Sequence, residues 1–197
     1  MAAPQAKNTK GLNGNWVMNK DLSDSPDPIF RAQGIGYLTR KGVSLATIHL
    51  NIKQYECVPT TPSSNTGKVT CIESTQTASG LKSTKEIRYL DNEFRHHYDW
   101  LFGTVKAQAR WVALEDIEDA ALKEGWLVEG ESNSYVLCHA VNQENGWTAT
   151  QIWGFQVVEG ERRYCIRVAV ISRGGQKAQA RFVYDYQLEQ APSATGV

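Results

Sequence analysis

The stretch Ile48-His49-Leu50-Asn51-Ile52-Lys53 sets an apolar side chain at every second position, and Val69-Thr70-Cys71-Ile72-Glu73-Ser74 takes up a similar rhythm after a turn-rich interval. Neighbouring side chains of a strand point to opposite faces, so a period of two marks a sheet with one buried and one wetted side. The pattern of alternation, turn and alternation runs from Leu45 to Tyr186. Further strands fit Leu81 to Leu90, Glu93 to Phe102, Thr104 to Leu114, Ser134 to Asn142, Trp147 to Val158, Arg162 to Ser172 and Lys177 to Leu188. Asp91-Asn92, Gly103, Asn145-Gly146, Glu159-Gly160 and Arg173-Gly174-Gly175 supply the turn chemistry between them. With a first strand from Trp16 to about Asn19, this makes roughly nine or ten antiparallel strands linked by short turns. An open sheet of that size leaves adhesive edges, and short consecutive links suit an up-and-down barrel better than a sandwich. Such a barrel is too wide for its own side chains to fill, so a cavity is expected.

Two breaks in the rhythm read as helices. Between the first two strands, Ser25 or Asp27 caps, Pro28 suits a first turn and Gly34 closes it, with a second short helix from Gly36 to Ser44. Later, Glu115 to Lys123 is acidic and Ala-rich, with Ile117, Ala120 and Ala121 at helical spacing and Gly125 as the stop. The chain has 197 residues, 41% of them hydrophobic, and reads as one domain from 14 to 190 between a flexible leader, 1–13, and a disordered tail, 191–197. Lys plus Arg and Asp plus Glu both number 21, which removes the basic field that nucleic acid or an anionic membrane needs. With no apolar leader or membrane-length segment in view, the cytoplasm is the expected compartment. In that compartment the four cysteines are expected as free thiols, Cys57 and Cys71 being the pair able to meet across a hairpin. Lys106-Ala107-Gln108-Ala109-Arg110-Trp111-Val112 recurs as Lys177-Ala178-Gln179-Ala180-Arg181-Phe182-Val183, a repetition short enough to reflect two strands in similar barrel environments.

Two segments resemble the calycin superfamily, the lipocalins and intracellular fatty-acid-binding proteins. Gly14-Asn15-Trp16 matches the G-x-W that opens the first strand of both. Ala32-Gln33-Gly34-Ile35-Gly36-Tyr37-Leu38-Thr39-Arg40-Lys41 resembles the helix-turn-helix lid of the fatty-acid-binding proteins. The organisation is also similar to that of a group of small fungal lipocalin-like proteins. The resemblance implies an all-β fold: a single up-and-down antiparallel calycin-like β-barrel, a short helix-turn-helix lid after the first strand, and one short inserted helix. The chain departs from that family in length, in the Val58 to Gly67 loop, and at the late Arg-x-Tyr pair that holds a fatty carboxylate there. Its best match is Arg181-Phe182-Val183, where Val183 stands in the tyrosine's place.

The segment Phe94 to Phe102 is the richest chemically. Phe94, His96, Tyr98, Trp100 and Phe102 share one strand face, and Arg95, His97, Asp99 and Leu101 the other. An inward aromatic face makes a pocket wall; the alternative is aromatics packed beneath the helices. His97 and Asp99 read as a surface pair or, if inward, as an acid/base couple. Ligand-binding candidates are Phe94, Trp100, Phe102, Trp153, Phe155, Arg181 and Tyr37; Arg181 either stacks over a plugging Trp16 or holds an anion. The spacing of His96 and His97 matches no metal motif, and no phosphate loop, nucleophile elbow or Cys/His dyad is present, so neither metal nor cofactor is expected.

The expected partner is a small hydrophobic molecule, polycyclic or anionic, with no nucleic acid and no membrane insertion. One reading is an intracellular lipocalin-like binder. The other uses the cavity for a cofactor-independent cyclase or isomerase of pericyclase type, similar to lipocalin-like natural-product cyclases, with His96, Tyr98 and Asp99 as catalytic candidates. Turnover separates the two.

Overall fold

The computed structural model describes residues 1–63, 65–79, 83–129 and 134–188. The expected tail, 191–197, and the start of the strand expected from Leu81 lie outside the described residues. Ten strands, β1 (Gly14–Met18), β2 (Ile48–Cys57), β3 (Val69–Ala78), β4 (Thr84–Tyr89), β5 (Arg95–Asp99), β6 (Gly103–Ala113), β7 (Ser134–Asn142), β8 (Trp147–Val158), β9 (Glu161–Ile171) and β10 (Lys177–Gln187), form one antiparallel sheet. Its order, β4-β3-β2-β1-β10-β9-β8-β7-β6-β5, joins the first strand to the last and leaves β4 and β5 as the two edges of a nearly closed barrel. No helix among the described residues is long and apolar enough to cross a membrane.

The strand after Asp91-Asn92 is shorter than its composition suggests, because Asp99 accepts backbone N–H bonds from Leu101 (2.7 Å) and Phe102 (3.1 Å) and turns the chain. The closed end is built around Trp16, which is fully buried, donates its indole N–H to the Leu12 carbonyl and packs on Phe155, Tyr164 and Tyr186. Gly14 has φ +134°, and a Cβ there would sit 2.7 Å from the Tyr186 ring, so the G-x-W motif needs its glycine twice over. Residues 1–13 pack against this end: Ala3 and Leu12 are buried, and the Ala3 N–H donates to the Arg162 carbonyl.

The other end carries α1 (Asp27–Ala32) and α2 (Tyr37–Leu45). Gly34, at φ +80°, makes the turn between them. Arg40 ties the two helices by donating to the Asp27 carboxylate (2.8 Å) and the Ile35 carbonyl (2.7 Å). Arg40, with Arg31, holds the Asp27 carboxyl below its ordinary range. The lid-like motif therefore has a mechanical meaning in its arginine and its glycine.

The inserted helix is one turn, α3 (Ala120–Lys123), capped by Asp119. Its segment covers the outside of the barrel, where Ile117, Leu122 and Trp126 pack with Val112, Tyr135, Ile152, Cys165 and Val183. Gly154 permits this, since a Cβ would lie 2.8 Å from Tyr135 and 2.9 Å from Trp126. The repeated heptapeptides occupy matching places on β6 and β10. Ala107, Ala109 and Trp111 face in as Ala178, Ala180 and Phe182 do, while Val112 and Val183 share the outer cluster.

The cysteine expectation is corrected at one pair. Cys57 and Cys71 form a disulfide, with Cα atoms 6.1 Å apart, while Cys138 and Cys165 are free and buried. The physical reason is register: Cys57 lies opposite Val69, two residues from Cys71, so the hairpin sets both cysteines at bridging distance.

Candidate functional site

A cavity of about 520 Å³ lies between the lid and the closed end. Small inward residues keep it open. Ala107, Ala140 and Ala149 are consecutive cross-strand partners on β6, β7 and β8, and Val170 and Ala178 continue the tier across β9 and β10. The next tier toward the closed end runs Ala109, Cys138, Gln151, Val168, Ala180, and only the third, Trp111, Val136, Trp153, Ile166, Phe182, is bulky. At the mouth, Phe30 of α1 packs on Phe102 (6.2 Å between centroids), and Phe102 on Trp147 (5.7 Å), so the lid closes on an aromatic chain.

The deep cation of this largely apolar chamber is Arg88. On β4, Thr84, Glu86 and Arg88 face the lumen, and Ile87, the apolar residue between the charges, is 40% exposed. Arg88 is paired with Glu86, donates to Ser74 Oγ at 3.0 Å and reaches across the lumen to the Trp153 ring, 5.0 Å from its centroid. Trp153 is itself fixed by its N–H bond to Gln151 Oε1, 2.9 Å. A guanidinium has five N–H donors; this one donates to Ser74 and Glu86, lies beside the Cys138 thiol and lines the lumen.

Burial pushes the Cys138 thiol up to about 12 and the Tyr184 and Tyr164 phenols well above their ordinary value. None of them is a ready nucleophile or base near neutrality. These buried groups therefore serve to bind and shape an apolar molecule rather than to attack it.

The structure divides the sequence-derived candidates. Trp100, Phe102, Trp153 and Asp99 line the cavity, as does His97. His96 and Tyr98 are on the exposed face of β5, Tyr98 at 73% exposure, so His96, Tyr98 and Asp99 do not assemble into one constellation. Asp99 already serves the turn described above. Phe94 packs outside against His139, under the Lys106 ammonium. Phe155 is buried at the closed end beneath Arg162, and Tyr37 is 60% exposed on α2.

Arg181 faces outward, where its backbone N–H donates to Asp24 (2.7 Å) and its cross-strand partner is Arg167. The inward residues of this part of β10 are Phe182 and Tyr184. A carboxylate clamp at Arg181 is thus ruled out by parity. The arginine that does reach the lumen was missed because Ile87 suggests the opposite face. The available signal was the Glu86/Arg88 pair itself, two opposite charges sharing one strand face.

No family model matches the chain. It is 32% identical over 187 residues to "Probable pericyclase scpY" of Mollisia scopiformis, with 94% of each chain covered. It is 26% identical over 189 residues to "Pericyclase pydY" of Acremonium sp, covering 94% of this chain and 97% of that one. Among solved structures, the fluorescent protein UnaG superposes with a TM-score of 0.50 at 13% identity, over 89% of this chain and 97% of that one, which shows the barrel alone. At 32% identity over 94% of each chain, this chain belongs to the pericyclase family of scpY.

Proposed function

We propose that the protein is a pericyclase, acting on a flexible, apolar, unsaturated carbonyl compound held in the barrel lumen. The observation that carries the reading is Arg88, a guanidinium lining a largely apolar chamber opposite the Trp153 ring. A pericyclic step needs little more from a protein. In a [4+2] cycloaddition, for instance, three π bonds are consumed while two σ bonds and one π bond form, and no proton or electron leaves the molecule. Folding the substrate so that the reacting ends meet supplies up to about 7–11 kcal/mol in favourable cases. A hydrogen bond from Arg88 to a conjugated carbonyl draws electron density from the adjacent alkene and adds roughly 3–4 kcal/mol, the scale of a preorganised oxyanion donor.

The alanine tiers provide the room, the Trp153, Trp147 and Phe102 rings provide the mould, and the lid excludes water. Holding a small lipophilic molecule is common to this reading and to a simple binder. The test is incubation of pure protein with an apolar extract of source cells lacking it, followed by liquid chromatography with mass spectrometry. One compound should decline as an isomer of identical mass grows, and Arg88→Met should slow that conversion. A compound retained unchanged by native mass spectrometry, with no isomer formed, would instead establish a carrier.

A further inference from the structure

The lumen's charges sum in a way that selects the substrate's head group. Arg88 is the deep cation, and Glu86, two residues earlier on the same face, already neutralises it. The remaining charged or titratable groups along the wall are Asp99 at the mouth, His97 on the same strand face, and Lys20 and Asp24 at the exposed rim. Lys20 is committed to the Ser44 and Leu45 carbonyls, and Asp24 to the Arg181 N–H. A carboxylate entering the chamber would pass Asp99 and arrive at a pair of net charge zero, leaving an uncompensated anion in a low-dielectric pocket. A neutral carbonyl oxygen meets no such barrier, because it needs only a donor.

We propose that Glu86 is a specificity residue: by neutralising Arg88 it makes the lumen a receptor for neutral carbonyl groups, such as ketone, ester, lactone or amide, and turns away free carboxylates. The inference rests on the pericyclase reading only in naming the carbonyl as the group to be activated. It separates this barrel from carriers that clamp a fatty carboxylate, and it replaces the anionic option left open by the sequence.

The experiment is fluorescence titration with cis-parinaric acid, ionised at pH 8, and with its methyl ester, on wild type and Glu86→Gln. The ester is the more apolar probe in any pocket, so the readout is the acid-to-ester ratio of dissociation constants and its change between the two proteins. Wild type should bind the ester at least about tenfold more tightly, and Glu86→Gln should shift the ratio toward the acid by about tenfold or more, the scale of one buried charge interaction. Glu86→Asp, which keeps the charge, should leave the ratio near wild type and guards against a folding defect in the glutamine variant. Equal or tighter binding of the acid by wild type overturns the proposal, as does a ratio unmoved by Glu86→Gln. Turnover plays no part in these titrations. An ester preference with no isomer formed in the extract assay would overturn the pericyclase reading and leave this one standing, and the converse result would do the opposite.

Discussion

Replacing Arg88 by methionine separates a structural strut from a polarising donor. The guanidinium and the Glu86 carboxylate are 18% and 22% exposed, so Arg88→Met leaves a largely buried carboxylate without its cation. Breaking a buried pair from one side costs about 3–5 kcal/mol, and the residual exposure of both groups puts this site at the low end, about 3 kcal/mol. For a chain of this length each kcal/mol lowers Tm by about 2–4 °C, so the variant should melt roughly 6–12 °C below wild type. The double variant Arg88→Met/Glu86→Gln removes the orphaned charge, and most of that stability should return, since apolar replacement of a whole buried pair is close to neutral. Turnover should not return with it. Loss of one preorganised donor costs about 10²–10³ in kcat, and both variants should show it. Thermal and urea unfolding by circular dichroism give the stabilities, and isomer formation is measured at a temperature where all three proteins are folded. Wild-type turnover in the double variant would refute the donor role and leave Arg88 as scaffolding. Unchanged stability in the single variant would refute the buried pair.

Four other outcomes follow from the same structure. Trp16→Ala should lose about 3–5 kcal/mol in urea unfolding, the range for large aromatic truncations in a core, because the ring is fully buried among three other aromatics. Ala149→Trp should fill the widest tier and weaken cis-parinaric methyl ester binding by more than about tenfold, with a folded far-ultraviolet spectrum retained. Arg181→Gln should bind that ester within about twofold of wild type, since the half-buried side chain lies outside the lumen. Cys57→Ser should cost about 3 kcal/mol, the scale for a bridge closing a loop of this length, and wild type should show the same loss under reductant.

The barrel was legible because closure is a property of rhythm. Alternation such as that of Ile48, Leu50 and Ile52, broken by glycine and asparagine turns, leaves few other ways to satisfy that many strand edges. The lid was legible because Gly34 and Arg40 each do one irreplaceable thing, a left-handed turn and a tie between helices. The site was far less so, and β5 shows why. Alternation states which residues share a face but not which face is inside, and both faces of Phe94 to Phe102 mix apolar and polar groups. The choice was made by tertiary structure: His97 and Asp99 turn inward, and Tyr98 is left in solvent. On β10 the same ambiguity placed attention on Arg181, though Tyr184 is the residue that faces the lumen.

Arg88 exposes a deeper reason for that asymmetry. A parity rule assumes that the inside of a barrel is apolar, and for a barrel filled by its own side chains it is. Here the inside is a vessel. Its inward alanines are chosen for what they leave empty, so they carry little hydrophobic signal, and the charged pair on β4 faces in while Ile87 faces out. The residues that a periodicity argument reads with least assurance are therefore the ones that make the chamber. Where small inward residues fall at consecutive cross-strand partners, as Ala107, Ala140 and Ala149 do, and an oppositely charged pair sits at i, i+2 on an edge strand, the parity should be assigned with the charges inside. Inverting β4 so that Ile87 faced in would put Glu86 and Arg88 in water, leaving Trp153 without its cation and the lumen without its donor.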